Sequence, residues 1–319
     1  MAFGRVIMKP LLKWVGGKTQ ILDTVFESFP ENMKNYYEPF VGGGSVLLEL
    51  LERRERGGIY IDGYINASDI NESLIQMYEH VRDAPEAVIC ELSTLQQEFR
   101  DACACSGETN RKANNGDEAG ANGESYYYWI RSRYNDMSAV EKKEPISSAM
   151  FIFLNKTCFR GIHREGPNGF NVPYGNYKNP SIFDEDHILQ VSRLLQGVQF
   201  KVCSYTEVLC EVEDGDFVYL DPPYAPLNSN SFVGYTKDGF KQAEHDSLFQ
   251  ACRSLTERGG RFLMSNANVP MVVHAFNDDS RYVTKVIQCR RAIHSKNPGS
   301  SAEEVLISSD PRTANAREM

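Results

Sequence analysis

The spacing of apolar positions changes several times along the chain. Residues 36–50, YYEPFVGGGSVLLEL, read as a short strand, a glycine turn and a helix whose apolar face is Val46, Leu47, Leu50 and Leu51. Residues 59–69, IYIDGYINASD, read as strand-like sequence ending in an acid. Residues 71–83 open on Asn71 as a cap and continue as an amphipathic helix. The run DFVYLDPPY at 216–224 is a buried-type strand that stops at two prolines, and RFLMSN at 261–266 is another strand. YVTKVIQCRRAI at 282–293 and EEVLIS at 303–308 predict a late antiparallel pair. Strands alternating with helices indicate an α/β layered domain.

The middle of the chain is patterned differently. Residues 106–125 contain almost no large apolar side chains, so they cannot bury enough surface to offset ordering entropy, and a mobile loop is expected across 101–125. Residues 126–134 and 146–154 look helical, and 160–179, with GPNG and YGNY, looks like a hairpin or extended loop. The expected organisation is one α/β domain built from 1–72 and 188–310, a smaller inserted domain at 73–187 and a tail at 311–319.

Composition narrows the class. Of 319 residues, 41% are hydrophobic and 24% charged, which is ordinary for a soluble globular protein. No apolar run is long enough to cross a bilayer, and the N-terminal apolar stretch is broken by Lys9, Pro10 and Lys13, so a cytoplasmic protein is expected. The cysteines are scattered and expected to be free thiols; Cys103 and Cys105 lack companions at zinc-ligand spacing, and no metal is expected. A net charge of −9 excludes a protein that is basic all over, but not one with a local basic groove. Lys156, Arg160, Arg164 and Lys178 share one stretch with the single acid Glu165; Lys285, Arg290, Arg291 and Lys296 form another. Either stretch alone would read as solvated surface charge.

Three features carry chemistry. Glycines at 42–44, between a strand and a helix, allow close backbone approach beside free helix N–H groups, although the G-x-G-x-x-G pattern of a dinucleotide site is absent. Asp69 ends the next strand about 25 residues on, where an acid accepts from ribose hydroxyls in nucleotide-binding α/β folds; a helix-capping role is the bland alternative. No phosphate-loop motif is present. Asp221-Pro222-Pro223-Tyr224 is the sharpest signal, against the alternative of a tight turn with a capping Asp. Two prolines fix the backbone and remove two donors, leaving carbonyl acceptors beside the Asp221 carboxylate. Such a turn can hold an exocyclic NH2 by both hydrogens while Tyr224 stacks on the base that carries it. Positive charge develops on that nitrogen as a methyl group arrives, so the acceptors bind the transition state better than the ground state. A base inside a duplex must first leave the stack to reach such a turn.

These segments together resemble the Dam-type (D12 class) DNA adenine-N6 methyltransferases. The resemblance is carried by Leu12-Lys13-Trp14-Val15-Gly16-Gly17-Lys18, by Glu38-Pro39-Phe40-Val41-Gly42-Gly43-Gly44-Ser45, by FLNKTCFRGIHREGPNGFNVPYGNYKNP at 153–180 and by Asp221-Pro222-Pro223-Tyr224, with weaker matches at 68–71 and at Ser265-Asn266. It implies a Rossmann-like methyltransferase sheet, mostly parallel with a late antiparallel strand and helices on both faces, and a target-recognition role for 73–187. It implies transfer of a methyl group from S-adenosyl-L-methionine to the N6 of a flipped adenine in a short duplex sequence.

The residues follow from the motifs. Asp221, Pro222, Pro223 and Tyr224 are the expected catalytic turn. Trp14, Gly17, Lys18, Glu38, Pro39, Phe40, Gly42, Gly44, Ser45, Asp69, Ile70 and Asp221 are the expected cofactor contacts. Lys13, Asn155, Lys156, Phe159, Arg160, Ile162, Arg164, Pro173, Arg290 and Arg291 are the expected DNA contacts, with Arg164 reading a base and Arg160 on phosphate. Relatives acting on GATC often carry Tyr-Asn where this chain has Phe159-Arg160, which bears on the recognition sequence and not on the chemistry. Double-stranded DNA is the expected partner of a monomer, with a cognate restriction endonuclease in a restriction-modification setting. The competing readings are an N4-cytosine methyltransferase, which the Asp at 221 disfavours, and a non-catalytic DNA-binding relative, which would have no need of both the cofactor and acceptor motifs.

Overall fold

The computed structural model describes residues 8–226, 240–290 and 301–309. They pack as two compact units, one made of residues 8–17, 42–44 and 71–196, the other of 18–41, 45–70 and the described residues from 197 onward.

The second unit is built on a seven-stranded sheet. In chain order its strands are β1 (Tyr36–Glu38), β2 (Ile65–Asp69), β3 (Val198–Val202), β4 (Phe217–Leu220), β5 (Arg261–Ala267), β6 (Val283–Arg290) and β7 (Ser301–Ser308). Their order across the sheet is β6-β7-β5-β4-β1-β2-β3. The pairs β5–β4, β4–β1, β1–β2 and β2–β3 are parallel, and β7 alone runs against the rest, antiparallel to both β5 and β6. This is the mostly parallel α/β sheet with a late antiparallel strand that the pattern led one to expect. From β1 the chain goes outward to β2 and β3, then returns to lay β4 on the other side of β1. The β1/β4 boundary is therefore the switch point of an open α/β sheet, where ligands bind outside the strand C-termini.

All four residues of β4 are buried, as expected of a parallel strand covered on both faces. On one face Tyr37, Val218, Leu220, Phe262, Met264, Val305 and Ile307 pack with Leu248, Phe249, Cys252 and Leu255 of the helix Gln242–Glu257, and with Val272 and Phe276 of the helix Pro270–Asn277. On the other, Phe29 meets Tyr36, Phe217 and Tyr219 and stacks on Phe26 of the helix Leu22–Phe26. The expected single strand at 59–69 is two. Tyr60–Ile61 pairs with Asn32–Met33 in a separate parallel ladder, and β2 starts only at Ile65. Asp62 and Gly63 turn the chain here. The Gly63 N–H donates to the Lys34 carbonyl at 2.7 Å, and a Cβ on Gly63 would strike the Asn35 side chain.

The first unit is helical. The helix Pro145–Thr157 is apolar all round, with Ala149 to Leu154 at most 2% exposed, and is packed by the helices Glu72–Asp83, Pro85–Ala104 and Gly123–Asp136. The helix Glu185–Leu195 belongs to this unit, beyond the expected bound at 187, because its Ile188–Val191–Leu194–Leu195 face packs on Glu72–Asp83 and Pro85–Ala104. The expected hairpin is Glu165–Gly166 paired with Gly169–Phe170.

The segment 101–125, expected as a mobile loop, contains helical structure at its start and in its second half. Residues 101–104 finish the helix Pro85–Ala104, Gly116–Ala119 is a helical turn, and the helix Gly123–Asp136 starts at 123. Polar side chains do here what apolar burial does elsewhere. Asn115 and Asn122 cap the two helix starts, and the Asn122 amide also donates to the Gly107 carbonyl at 2.8 Å and to Thr109 Oγ1 at 3.0 Å. Asn122→Ala is therefore expected to lower unfolding stability by about 1–2 kcal/mol, read from the urea midpoint at unchanged slope. A midpoint equal to the parent would show that the segment contributes nothing to the fold.

Candidate active site and nucleic-acid interface

In the sheet unit, β1 ends at Glu38 and β4 runs into Asp221-Pro222-Pro223-Tyr224, so both motifs sit at strand C-termini on either side of the switch point. Lys18 joins them. Its ammonium donates to Asp221 Oδ2 at 2.6 Å, with 4% of the lysine and 20% of the aspartate side chain exposed. Its backbone N–H donates to Ser45 Oγ at 3.1 Å, which ties it to the first residue of the helix Ser45–Glu55. The other Asp221 oxygen, Oδ1, is buried with no hydrogen-bond partner among the described residues. Glu38 is buried and accepts from the Tyr36 phenol at 2.6 Å.

Burial sets the electrostatics. It pushes the Glu38 carboxyl up to about 8, with the nearby Asp221 adding to the rise and the Tyr36 hydrogen bond opposing it. Burial also raises Asp221, against the attraction of Lys18. The site thus keeps Asp221 beside a cation while Glu38 is protonated near neutral pH.

Tyr224 lies over this pair, its ring centroid 5.0 Å from the Lys18 ammonium, and its hydroxyl donates to Glu304 Oε2 of β7 at 2.8 Å. The chain just past the turn is pinned because Asn266 Oδ1 accepts from the Ala225 N–H at 3.0 Å. Phe40 stacks on Tyr205 at 5.5 Å, with Phe240 edge-on at 6.3 Å. Asp69 ends β2, and Ile70 beyond it is 60% exposed. Tyr205, Tyr36 and Glu304 were not anticipated from sequence. Glu304 lies 80 positions after Tyr224, and only strand register could have placed it. A separate cavity of about 500 Å³ opens at the N-terminal ends of the strands, near Asn35, Tyr64 and Asp216. Its acids are held internally, Asp216 by Asn35 at 2.8 Å and Glu213 by Lys34 at 3.2 Å, and it lies away from both motifs.

The helical unit holds the remaining motif residues. Trp14 stacks on His163 at 5.4 Å. The glycine turn packs in this unit, and its lack of side chains has a local cause. A Cβ on Gly43 would lie 2.8 Å from Trp14 Cβ, and one on Gly44, at φ +73°, would lie 2.6 Å from the Tyr78 hydroxyl. Asn155 is buried and committed to the chain. Its Oδ1 accepts from the Lys13 N–H, and its amide donates to the carbonyls of Lys13 and Gly161. Phe159 is 45% exposed beside Arg160, which adopts the left-handed region at φ 58°. Pro173 accepts from the Phe159 N–H at 2.8 Å, and Ile162 follows the same turn. Arg164 is exposed and aimed by Asn171 across the hairpin, its Nε donating to Asn171 Oδ1 at 2.6 Å and its Nη2 to the Asn171 carbonyl at 3.2 Å. Glu165 sits instead beside His163, at 3.3 Å. Burial and neighbouring Lys13 lower Lys156 to about 8. The Arg290 side chain, Arg291 and Lys296 lie outside the described residues.

Comparison with known proteins shows the family. Residues 14–292 match the model of the D12 class N6 adenine-specific DNA methyltransferases. The chain is 40% identical over 295 residues to the type II methyltransferase M.MjaIII of Methanocaldococcus jannaschii, covering 89% of this chain and 94% of that protein. It is 31% identical over 278 residues to the type II methyltransferase M1.LlaDCHI of Lactococcus lactis subsp. cremoris, 86% of each. It is 29% identical over 290 residues to the DNA adenine methylase of Escherichia coli K12, 90% of each. The chain therefore belongs to the D12 class of N6 adenine-specific DNA methyltransferases, and it is an enzyme that methylates adenine in DNA. No helix among the described residues is long and apolar enough to cross a membrane.

The raised Glu38 carboxyl has a measurable consequence. Between its ordinary value of 4.5 and about 8 the folded state holds a proton that the unfolded state has lost, so stability falls as pH rises through this window. One such group contributes a slope of up to about 1.4 kcal/mol per pH unit. Glu38→Gln, which keeps the uncharged shape, is expected to have a shallower stability profile across that window in denaturant titrations. Parallel profiles for the two proteins would refute the assignment.

Proposed function

We propose that this methyltransferase uses S-adenosyl-L-methionine and acts on the N6 of an adenine flipped out of a short duplex sequence. The observation that carries the reading is the asymmetry of Asp221. Lys18 occupies one oxygen at 2.6 Å, and the other is a buried acceptor without a partner among the described residues. An exocyclic amine is the donor such an atom suits, since a buried unpaired acceptor is costly until it is met. The cofactor's groups suit the rest of the sheet unit: the Asp221 carboxylate for its positive charge, the Glu38 carboxyl as a hydrogen-bonding group, Asp69 for its ribose, and Phe40, stacked on Tyr205, for its flat ring. When bound, the cofactor supplies an electrophilic methyl group. Pro39, Ser45, Ile70, Trp14, Gly17, Gly42 and Gly44 are assigned to its binding on the family motifs.

The protein's part is to orient and to stabilise. Asp221 Oδ1 and a prolyl carbonyl of the turn accept the two amine hydrogens, and Tyr224 stacks on the base. As positive charge grows on the nitrogen, both acceptors strengthen their hold, and the Lys18 ammonium opposes the rise that burial imposes on Asp221. The sheet unit is the catalytic domain in this reading, and the helical unit with its hairpin reads the target. Arg164, already oriented by Asn171, reads a base, while Arg160, Lys13 and Lys156 meet phosphate. Phe159, Ile162 and Pro173 shape the same turn, and Asn155 acts through the Lys13 backbone that it holds. Arg290 and Arg291 are further proposed DNA contacts.

Asp221→Ala is expected to abolish methylation in a folded protein, and Asp221→Asn to lower turnover by at least about a hundredfold, because a neutral amide accepts weakly and can present a donor to the amine. Near-normal turnover in either folded variant would refute the role. For target reading, Arg164→Ala is expected to relax preference at one base position by about 1–3 kcal/mol in a library of duplexes varied around the adenine. A uniform loss across the library, with the preference pattern intact, would move Arg164 to phosphate.

A further inference from the structure

The prolines of the catalytic turn fix the backbone up to Tyr224, but they leave its two side-chain torsions free. A ring that must stack on an incoming base loses that freedom on binding unless it is already held. In this chain it is held. The Tyr224 hydroxyl donates to Glu304 Oε2 at 2.8 Å, and the same ring lies 5.0 Å over the Lys18 ammonium that binds Asp221. Glu304 stands on an inner strand, since β7 is paired on both sides, Glu304 itself opposite Ala267 of β5 and Ile287 of β6. The Cys289 thiol of β6 neighbours the same carboxylate. The Glu304 backbone is thus fixed by two neighbouring strands, and its carboxylate takes up the phenol.

We propose that Glu304 is a positioning residue for methyl transfer. It fixes the Tyr224 ring as the stacking wall for the target base and acts only through that ring. This rests on the reading that the base enters beside Asp221. Retained methylation in Asp221→Ala would overturn that reading, whereas the variants below test Glu304 alone.

The measurement is steady-state kinetics on the full chain. The substrate is a duplex bearing its own target sequence, found by sequencing DNA methylated in expressing cells. Glu304→Ala is expected to lower kcat about tenfold or more with the KM for S-adenosyl-L-methionine unchanged, as loss of a hydrogen bond to a charged group would. Glu304→Gln still offers an oxygen to the phenol and is expected to recover to within about threefold of the parent. Tyr224→Phe cuts the same bond from the other end and should match Glu304→Ala, and the double variant should lose no more than either single one. With 2-aminopurine in place of the target adenine, Glu304→Ala should leave the flipped base brighter than the parent does, because the ring no longer stacks on it steadily. Losses that multiply in the double variant, equal losses for the Ala and Gln variants, or full kcat in Tyr224→Phe would each overturn the proposal. Tyr224→Phe keeps the test open where Glu304→Ala does not fold.

Discussion

A carboxylate placed at the end of a buried strand tends to take up a proton and lose its value as an acceptor. The 2.6 Å contact between Lys18 and Asp221 works against that tendency, and much of the sheet unit is arranged around it. Buried ion pairs hold only when the geometry is good and the remaining polar atoms are met. Ser45 secures the lysine backbone, Tyr224 covers the ammonium and the two prolines stiffen the aspartate's turn. The strand order then brings the Glu38 and Asp221 strands side by side where the chain, having grown outward through β2 and β3, returns to the other side of β1.

Around that pair runs a layer of phenols inside an otherwise apolar sheet. Tyr36 donates to Glu38, Tyr219 shares a hydrogen bond with Ser265 at 2.8 Å, and Tyr224 donates to Glu304. Each tyrosine gives the core the area of an aromatic ring while its hydroxyl satisfies a polar group that would otherwise be stranded. In the helical unit the same economy appears with asparagine, where Asn155 fixes Lys13, Asn171 fixes Arg164 and Asn122 fixes a helix start. Neutral neighbours thus help to hold charged residues in both units, beside the Lys18–Asp221 ion pair.

What could be read in advance depended on the range of the cause. The β4 run with its prolines, the Asn71 cap and the antiparallel pair at the chain's end are local patterns, and they were legible. The helical pieces within 101–125 were not legible because hydrophobicity was the measure, whereas their starts are capped by asparagine side chains bonding to backbone. The strand at 59–69 was over-extended because Gly63 looks permissive in sequence, and only its packing against Asn35 shows a turn. Within the candidate site, the motif residues Lys18, Glu38 and Asp221 were recognisable from their neighbours in sequence. Glu304 was not, because nothing in EEVLIS distinguishes one glutamate from the next until the register with β5 is known.

The placement of β7 has a consequence for the life of the protein before it is finished. β7 is the last strand among the described residues, yet it lies inside the sheet between β5 and β6. Until residues 301–308 leave the ribosome, β5 offers an open edge on the side β7 will take, and the Tyr224 hydroxyl lacks its carboxylate. An unfilled edge of this kind is where nascent chains pair wrongly. Insertion of β7 closes that edge and gives the Tyr224 hydroxyl its acceptor in one event, so a chain that stops short of β7 would carry the Asp221-Pro222-Pro223-Tyr224 turn without the carboxylate that holds its tyrosine.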